Sequence, residues 1–179
     1  IVHYHKQGYS MVYAQDKHGK KTPLNGHEIF DDQGHCKTEL DAVVESPRGV
    51  KKLVEAKSAR VPLRLDRVLK SKVLYKLKYY KDNQKKLEEV IGGPLNVVFS
   101  IDPGIREDGT ALYLGQDARY VRKQKTMMDF LRSQEIVLSQ SFGFPVSFLF
   151  LNSRPSIPGA EQLSPAPDRA NPRGGKGRG

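Results

Sequence analysis

Two short apolar segments, separated by a turn sequence, limit the possible folds of this chain more than any other feature. Residues 39–44 and 50–56 are rich in Val, Leu and Ala, and Ser46-Pro47-Arg48-Gly49 lies between them. Proline suits the first position of a type I turn and glycine the left-handed position that follows, so a three-residue loop over 47–49 predicts a β-hairpin. Ser46 then pairs with Val50, and counting outward pairs 45 with 51, 43 with 53, 41 with 55 and 39 with 57.

This register brings three charged side chains to one face of the hairpin. Asp41 opposes Glu55, and Lys57 lies two residues further along on the same face. The opposite face is apolar, and we expect it to be the side that packs on the core. Its residues are Leu40, Ala42, Val44, Val54 and Ala56.

Two carboxylates opposed on adjacent strands repel each other unless a cation lies between them. Mg²⁺ prefers oxygen ligands, often one or two carboxylates with waters and substrate phosphate completing the shell. Asp41 and Glu55 supply such a partial shell, and the Lys57 ammonium could serve the attacking water and neutralise charge in the transition state. The pattern predicts a phosphodiesterase site. Solvated charges at a sheet edge are the alternative, because an acid-x-Lys triplet alone arises readily by chance.

A long amphipathic helix is predicted after the hairpin. From Asp66 the apolar positions recur at steps of three and four residues, until Gly92-Gly93-Pro94 ends the pattern. These positions are Leu69, Val73, Leu77, Tyr80, Leu87 and Ile91. Basic residues flank this apolar ridge, and they either contact phosphates or face solvent. Lys81 and Lys85 are our candidates for substrate binding among them.

Further strands and helices alternate along the rest of the chain. Strands are predicted over 9–14, 95–101 and 146–151, and a second helix over 117–138. Interleaved strands and helices predict an α/β or α+β domain over 1–151, with a mixed central sheet flanked by helices. Residues 152–179 are rich in Pro and Gly and poor in bulky apolar residues, so we expect a disordered basic tail.

The composition favours a polyanionic partner. Thirty Lys and Arg against twenty Asp and Glu give a net charge of +10, which favours nucleic acid over an anionic membrane surface. The single cysteine, Cys36, excludes an internal disulfide framework, and the five histidines match no zinc-finger spacing. The longest apolar run, around 146–151, is too short to cross a bilayer, so we expect no membrane insertion. No Gly-rich phosphate loop and no Gly-x-Ser-x-Gly motif occur.

The hairpin and the following helix resemble the PD-(D/E)xK nuclease superfamily, which has the restriction-endonuclease-like fold. The resemblance covers about residues 35–102: a strand–turn–strand unit with Asp41, then Glu55-Ala56-Lys57, a helix and a further strand. The amino-acid sequence of the hairpin is similar to that of nuclease toxin domains at the C-terminal ends of bacterial polymorphic toxins. The chain departs from the usual pattern at Leu40, where the superfamily commonly has proline.

The resemblance implies roles for the site residues. Asp41 and Glu55 would bind Mg²⁺ or Mn²⁺, and Lys57 would act on the water. Some members add an acid from an earlier helix, for which Glu39, facing Lys57, is a stronger candidate than Glu28. The helix after the Glu-x-Lys strand often places a polar residue against the site. Gln84, which lies on the apolar ridge, would then orient a phosphate or a metal-bound water, or it is a core glutamine with its hydrogen bonds satisfied.

The expected function is metal-dependent hydrolysis of phosphodiester bonds, with DNA favoured over RNA as the substrate. Resemblance to the toxin domains implies an effector domain of a larger secreted protein that acts in the cytoplasm of a target cell. It also implies a cognate, acidic immunity protein. A start at Ile1, without methionine, fits a piece of a longer chain. A non-catalytic basic nucleic-acid-binding domain is the main alternative. An ADP-ribosyltransferase is a weaker one, because its series of Arg, Ser-Thr-Ser and Glu-x-Glu is not found.

Overall fold

A five-stranded mixed sheet forms the centre of the computed structural model, which describes residues 2–15, 20–24, 27–30, 33, 36–58, 68–112 and 118–151. The strands are β1 (Ser10–Met11), β2 (Tyr13–Gln15), β3 (Lys21–Pro23), β4 (His27–Phe30), β5 (Cys36–Leu40), β6 (Ala42–Glu45), β7 (Lys51–Ser58), β8 (Val97–Asp102) and β9 (Val146–Phe150). The helices are α1 (Val2–Lys6), a π-helical segment (Val68–Leu74), α2 (Tyr75–Asp82), α3 (Gln84–Ile91), α4 (Ala118–Ser133) and α5 (Glu135–Phe142). The predicted tail, 152–179, lies outside the described residues.

The strands of the central sheet follow one another in chain order, β1-β6-β7-β8-β9. The pairs β1–β6 and β6–β7 are antiparallel, whereas β7–β8 and β8–β9 are parallel. A parallel neighbour requires a crossover connection, and helices provide it here: α2 and α3 between β7 and β8, then α4 and α5 between β8 and β9. The mixed central sheet flanked by helices that the sequence predicts is confirmed. Two further pairs, β2–β3 and β4–β5, form separate two-stranded sheets.

The hairpin has the predicted register. Val43 pairs with Leu53 and Glu45 with Lys51, while the Ser46 amide donates to the Val50 carbonyl at 2.9 Å. Gly49 adopts a left-handed conformation with a φ of 76°, as the three-residue loop requires. The loop chemistry therefore determines which side chains of β6 and β7 share a face.

The ladder ends sooner than predicted, at Ala42 and Val54. Asp41 lies between β5 and β6, and its Oδ2 accepts the Ala56 amide at 2.7 Å, where a continued ladder would supply a backbone carbonyl. The residues before Asp41 form β5, which is not part of the central sheet, and there Glu39 pairs with Glu28 of β4. The prediction that Glu39 faces Lys57 was wrong for this reason. Asp41 still lies at the end of the ladder beside β7.

Both faces of the hairpin are covered, which corrects the predicted core side. The larger core contains Val43 and Leu53, on the face that also carries Glu55, and helices α2 to α5 all contribute buried residues to it. The face expected to be the core side holds a smaller cluster of Ala42, Val44, Val54 and Val98 around Tyr4 of α1. Ala56 on that face is exposed. The charged face is the main core face because the crossover helices pack on it.

The long predicted helix is interrupted, although its apolar ridge is buried as expected. Val73, Leu77, Tyr80, Leu87 and Ile91 are at most 2% exposed. The helix is interrupted at Asn83, whose side-chain amide donates to the Tyr79 carbonyl at 2.9 Å. The second helical segment ends at Gly92, which has a φ of 71°. The second predicted helix is likewise two helices, α4 and α5, with a break at Gln134. None of the described helices combines the length and the apolar character needed to cross a membrane.

Replacement of Gly49 tests the turn that establishes this register. We expect Gly49→Ala to lower the free energy of unfolding by about 1–2 kcal/mol, because an L-residue is strained at positive φ. An added Cβ would meet only an ordinary contact, 3.9 Å from the Glu45 Oε1, so no steric clash contributes. Urea unfolding measures the difference. Gly93→Ala is the control, since Gly93 has no positive φ; equal stability of the two variants would contradict the prediction.

Candidate functional site

A fully buried carboxylate, that of Glu55, lies at the centre of the site. Glu55 projects from β7 into the core face covered by α2, and its exposure is 0%. Burying a charged group is unfavourable unless protein donors replace its water. Its Oε1 accepts from Lys76 Nζ at 3.1 Å and from the Tyr80 hydroxyl, and its Oε2 accepts from Lys57 Nζ at 2.8 Å. Both oxygens of this carboxylate are therefore satisfied from within the protein.

Asp41 and Lys57 form the more accessible rim of the same site. The side chains of Asp41 and Lys57 are 35% and 23% exposed. Lys57 Nζ lies 3.7 Å from Asp41 Oδ2 and 2.8 Å from Glu55 Oε2, so one ammonium bridges the two carboxylates. The predicted grouping of Asp41, Glu55 and Lys57 is what the structure contains. The cation that relieves the repulsion between the two acids belongs to the chain itself.

Lys76 and Tyr80 of α2 complete the site, and the sequence did not single them out for it. They are four residues apart, so they lie on one face of the helix. The Lys76 ammonium also donates to Thr38 Oγ1 at 2.8 Å and lies 5.7 Å from the centroid of the Tyr80 ring. In the sequence Tyr80 is one member of the apolar ridge, and Lys76 is one of many flanking lysines. Their i, i+4 spacing, in a helix that follows the strand of Glu55, is the sequence signal that could have identified them. Spacing alone does not show that the two side chains contact Glu55.

Tyr80 is a hydrogen-bond donor to Glu55 because its proton is held firmly. Burial is the largest cause that raises the pKa of the Tyr80 hydroxyl above its ordinary value, and the negative charge of Glu55 is the next. The direction of this pKa shift agrees with the Tyr80 hydroxyl acting as the donor to Glu55 Oε1.

Gln84 has a different position from the one expected of a site residue. Its Nε2 donates to Glu88 Oε1 at 2.9 Å, and its Oε1 accepts from Lys81 Nζ at 3.3 Å. Glu88 in turn accepts the Leu95 amide at 3.1 Å, and the hydrogen bond from Gln84 is the largest cause that lowers the pKa of Glu88. Glu88, held by Gln84, therefore joins α3 to the segment before β8; the hydrogen bonds of Gln84 are satisfied as the alternative predicted, but the residue is half-buried and not in the core. The place against the carboxylates is taken by Lys76 and Tyr80.

The remaining predicted residues lie outside the contacts of the carboxylates. Lys81 and Lys85 are exposed on α2 and α3, and neither forms an ion pair with Asp41 or Glu55. Glu39 is exposed on β5, opposite Glu28. Its backbone carbonyl lies 3.5 Å from Lys76 Nζ, but its carboxylate is not part of the site.

The donor set allows a test of whether a divalent ion fits. Within the part of the chain that the structure describes, no group of three or more His, Cys, Asp and Glu side chains is arranged to hold a metal. Asp41 and Glu55 both contact the Lys57 ammonium, and two carboxylates are a number of protein ligands that Mg²⁺ commonly takes while it keeps several waters. An ion bound by both would compete with the Lys57 ammonium.

Comparisons with known proteins gave no matching family model, no matching curated protein and no matching solved structure. The functional interpretation therefore depends on the residues of the site.

A double-mutant cycle tests the coupling between Lys76 and Glu55. We expect Lys76→Met to lower the free energy of unfolding by about 1.5–3 kcal/mol, because it removes a hydrogen bond to a buried charge. Combined with Glu55→Gln, the loss should be smaller than the sum of the two single losses by at least about 0.5 kcal/mol. Chemical denaturation gives all four values.

The control for this cycle is Lys78→Met, which changes an exposed lysine of the same helix. Its effect should be within about 0.5 kcal/mol and should add to that of Glu55→Gln. Strict additivity of Lys76→Met and Glu55→Gln would show that the two groups are not coupled.

Proposed function

We propose that this chain is a metal-dependent nuclease with its active site at Asp41, Glu55 and Lys57. The convergence of two carboxylates on the Lys57 ammonium, Asp41 from just beyond the hairpin ladder and Glu55 from β7, carries the proposal. A folding requirement alone would be met more simply by apolar residues, since replacing buried ion pairs with well-packed apolar groups is often neutral or stabilising. The rim of Asp41 and Lys57 is accessible, as a substrate phosphate requires.

The order of elements supports a restriction-endonuclease-like core as part of this proposal. The PD-(D/E)xK resemblance requires a hairpin with the acids, then a helix, then another strand of the same sheet. The chain has β6 and β7, then α2 and α3, then β8 parallel to β7. The agreement is in the order and direction of the strands and helices. It therefore supports the proposal separately from the Asp and Glu-x-Lys motif.

Each residue has a separate part in the proposed reaction. Asp41 and Glu55 would hold Mg²⁺ or Mn²⁺, and the bound ion would supply Lewis-acid stabilisation and lower the pKa of water. Lys57 Nζ, at the rim, donates hydrogen bonds to the attacking water or to a phosphate oxygen and offsets its negative charge. Lys76 and Tyr80 donate to Oε1 of the Glu55 carboxylate and fix its orientation.

The proposed substrate and setting follow the charge and the resemblance. A net charge of +10 favours a polyanion, and we propose DNA before RNA. The toxin-like hairpin extends the proposal to an effector domain of a larger secreted protein that acts in the cytoplasm of a target cell. An acidic immunity protein would be the matching partner, because it complements the charge of the chain.

A non-catalytic nucleic-acid-binding domain is the second candidate. The observation that favours it is the complete satisfaction of Glu55 by protein donors, which makes the cluster stable without any ion. In that case the hydrogen bonds and ion pairs of Glu55 serve to hold the hairpin against α2, and exposed basic residues elsewhere contact nucleic acid.

Cleavage assays with the purified chain decide between these two functions. Supercoiled plasmid and total RNA are incubated with Mg²⁺, Mn²⁺ or EDTA. We expect metal-dependent cleavage that falls at least about a hundredfold in Asp41→Asn and Lys57→Met, since both remove groups that act on the reacting phosphate. Asp41→Asn keeps an oxygen that can accept the Ala56 amide, so the local fold is preserved.

Two exposed residues provide matched controls for charge: Glu89→Gln for the acid and Lys123→Met for the base. Both should cleave as the unsubstituted chain does. Nucleic acid that is bound but left uncut by every protein, with or without metal, would overturn the nuclease proposal in favour of the binding domain.

Lys57→Met also has an expected effect on ion binding that does not depend on activity. Because the Lys57 ammonium lies between the two carboxylates, its removal should increase the affinity for Mn²⁺ and Mg²⁺ while cleavage is lost. Titration calorimetry without nucleic acid measures the affinity. The double variant Asp41→Asn/Lys57→Met should lose the gain, and an unchanged or weaker affinity in Lys57→Met would show that the ion does not compete with this lysine.

A further inference from the structure

An exposed tyrosine, Tyr75, stands at the start of α2, directly before Lys76 in the chain. Tyr75 is the first residue of α2 and is 71% exposed, whereas Tyr80 of the same helix is fully buried. A large aromatic ring at this exposure contributes little to the core. Its apolar face remains available to a ligand.

Three exposed lysines surround this tyrosine in the sequence. Lys70 and Lys72 lie in the π-helical segment, and Lys78 lies three residues after Tyr75 on α2, next to it on the helix surface. Lys76, the other lysine of this turn, is bound to Glu55 and to Thr38. The three exposed lysines, in contrast, form no ion pair with any acid among the described residues. We call Lys70, Lys72, Tyr75 and Lys78 the Tyr75 surface.

We propose that the Tyr75 surface binds an unpaired nucleic-acid strand, with one base stacked on the Tyr75 ring and the backbone phosphates on the lysines. Positive side chains combined with an aromatic ring are what single-strand binding uses, because an unpaired base offers its face for stacking. In a duplex those faces are covered by neighbouring bases. The ring therefore distinguishes unpaired strands, whereas the lysines attract any nucleic acid.

The position of this surface relates it to the site. Tyr75 and Lys76 are consecutive residues of one helix, whose diameter with side chains is about 10–12 Å. Lys76 reaches Glu55, so a strand held at Tyr75 lies about one helix diameter from the carboxylates. As a statement about the substrate, that it is unpaired near the cleaved bond, the inference rests on the proposed function. As a statement about binding, it stands separately.

Fluorescence anisotropy in EDTA tests the binding without any cleavage. Labelled unpaired DNA, unpaired RNA and a DNA duplex of equal length are titrated with the full chain. We expect the unpaired strands to bind more tightly than the duplex, and Tyr75→Ala to weaken their binding about tenfold, within the range that stacking on one aromatic ring provides. Tyr75→Phe should bind as the unsubstituted chain does, because stacking needs the ring and not the hydroxyl.

Tyr13→Ala is the matched control, because Tyr13 is 58% exposed on β2, which belongs to a different sheet. It should leave all affinities unchanged, and circular dichroism confirms that each variant is folded. Tyr75-dependent binding of either unpaired DNA or unpaired RNA supports the proposal, and the tighter arm identifies the strand. Equal affinity of Tyr75→Ala and the unsubstituted chain, or an equal loss for duplex and unpaired strands, would overturn it.

The two proposals fail in different ways. If no protein cleaves in the presence of metal but Tyr75→Ala still loses affinity for unpaired strands in EDTA, the nuclease proposal fails and this one stands. If cleavage depends on Asp41 while Tyr75→Ala binds normally, the nuclease proposal stands and this one fails.

Discussion

The burial of one carboxylate, that of Glu55, couples the hairpin to the helix that crosses over it. A charged group with no access to water needs donors, and here they come from two elements: Lys57 from β7 itself, and Lys76 and Tyr80 from α2. Because α2 supplies two of the three donors, the position of the helix on the sheet is determined by polar contacts as well as by its apolar ridge. Misplacing the helix would leave the charge uncompensated.

The same arrangement places opposite demands on Lys57. For stability, its ammonium compensates the two carboxylates it bridges. For the proposed chemistry, those carboxylates bind an ion, and Lys57 must instead face the water and the phosphate. A site whose charges are compensated by its own lysine needs no ion for stability, and the proposed ion would bind more weakly because it competes with that lysine. A fully apolar replacement would remove the competition together with the proposed function.

The site is divided into a buried floor and an accessible rim, as the proposed phosphodiesterase chemistry requires. Tyr80 and Glu55, both 0% exposed, form the floor beneath Asp41, Lys57 and Lys76, whose side chains are 35%, 23% and 22% exposed. The orientation of Glu55 is fixed because its three donors lie on the packed elements β7 and α2. The Tyr75 surface adds exposed basic residues at and before the start of α2. Nucleic-acid binding and the proposed chemistry would therefore use two faces of one helix.

Local chemistry in the sequence determined the hairpin, its register and the ridge of the following helix. Proline and glycine at defined turn positions limit the loop to three residues, and period-two and period-three-to-four apolar patterns identify strands and helix faces without knowledge of the rest of the chain. Asp41, Glu55 and Lys57 could therefore be grouped from the sequence alone. The contacts that only the tertiary structure decided are those across elements: the end of the ladder at Asp41, the larger core on the charged face, and Lys76 and Tyr80, rather than Gln84, beside Glu55. A crossover helix can rotate about its axis and slide along the sheet without changing its own periodicity, so its sequence shows which residues are buried but not which strand residue they meet.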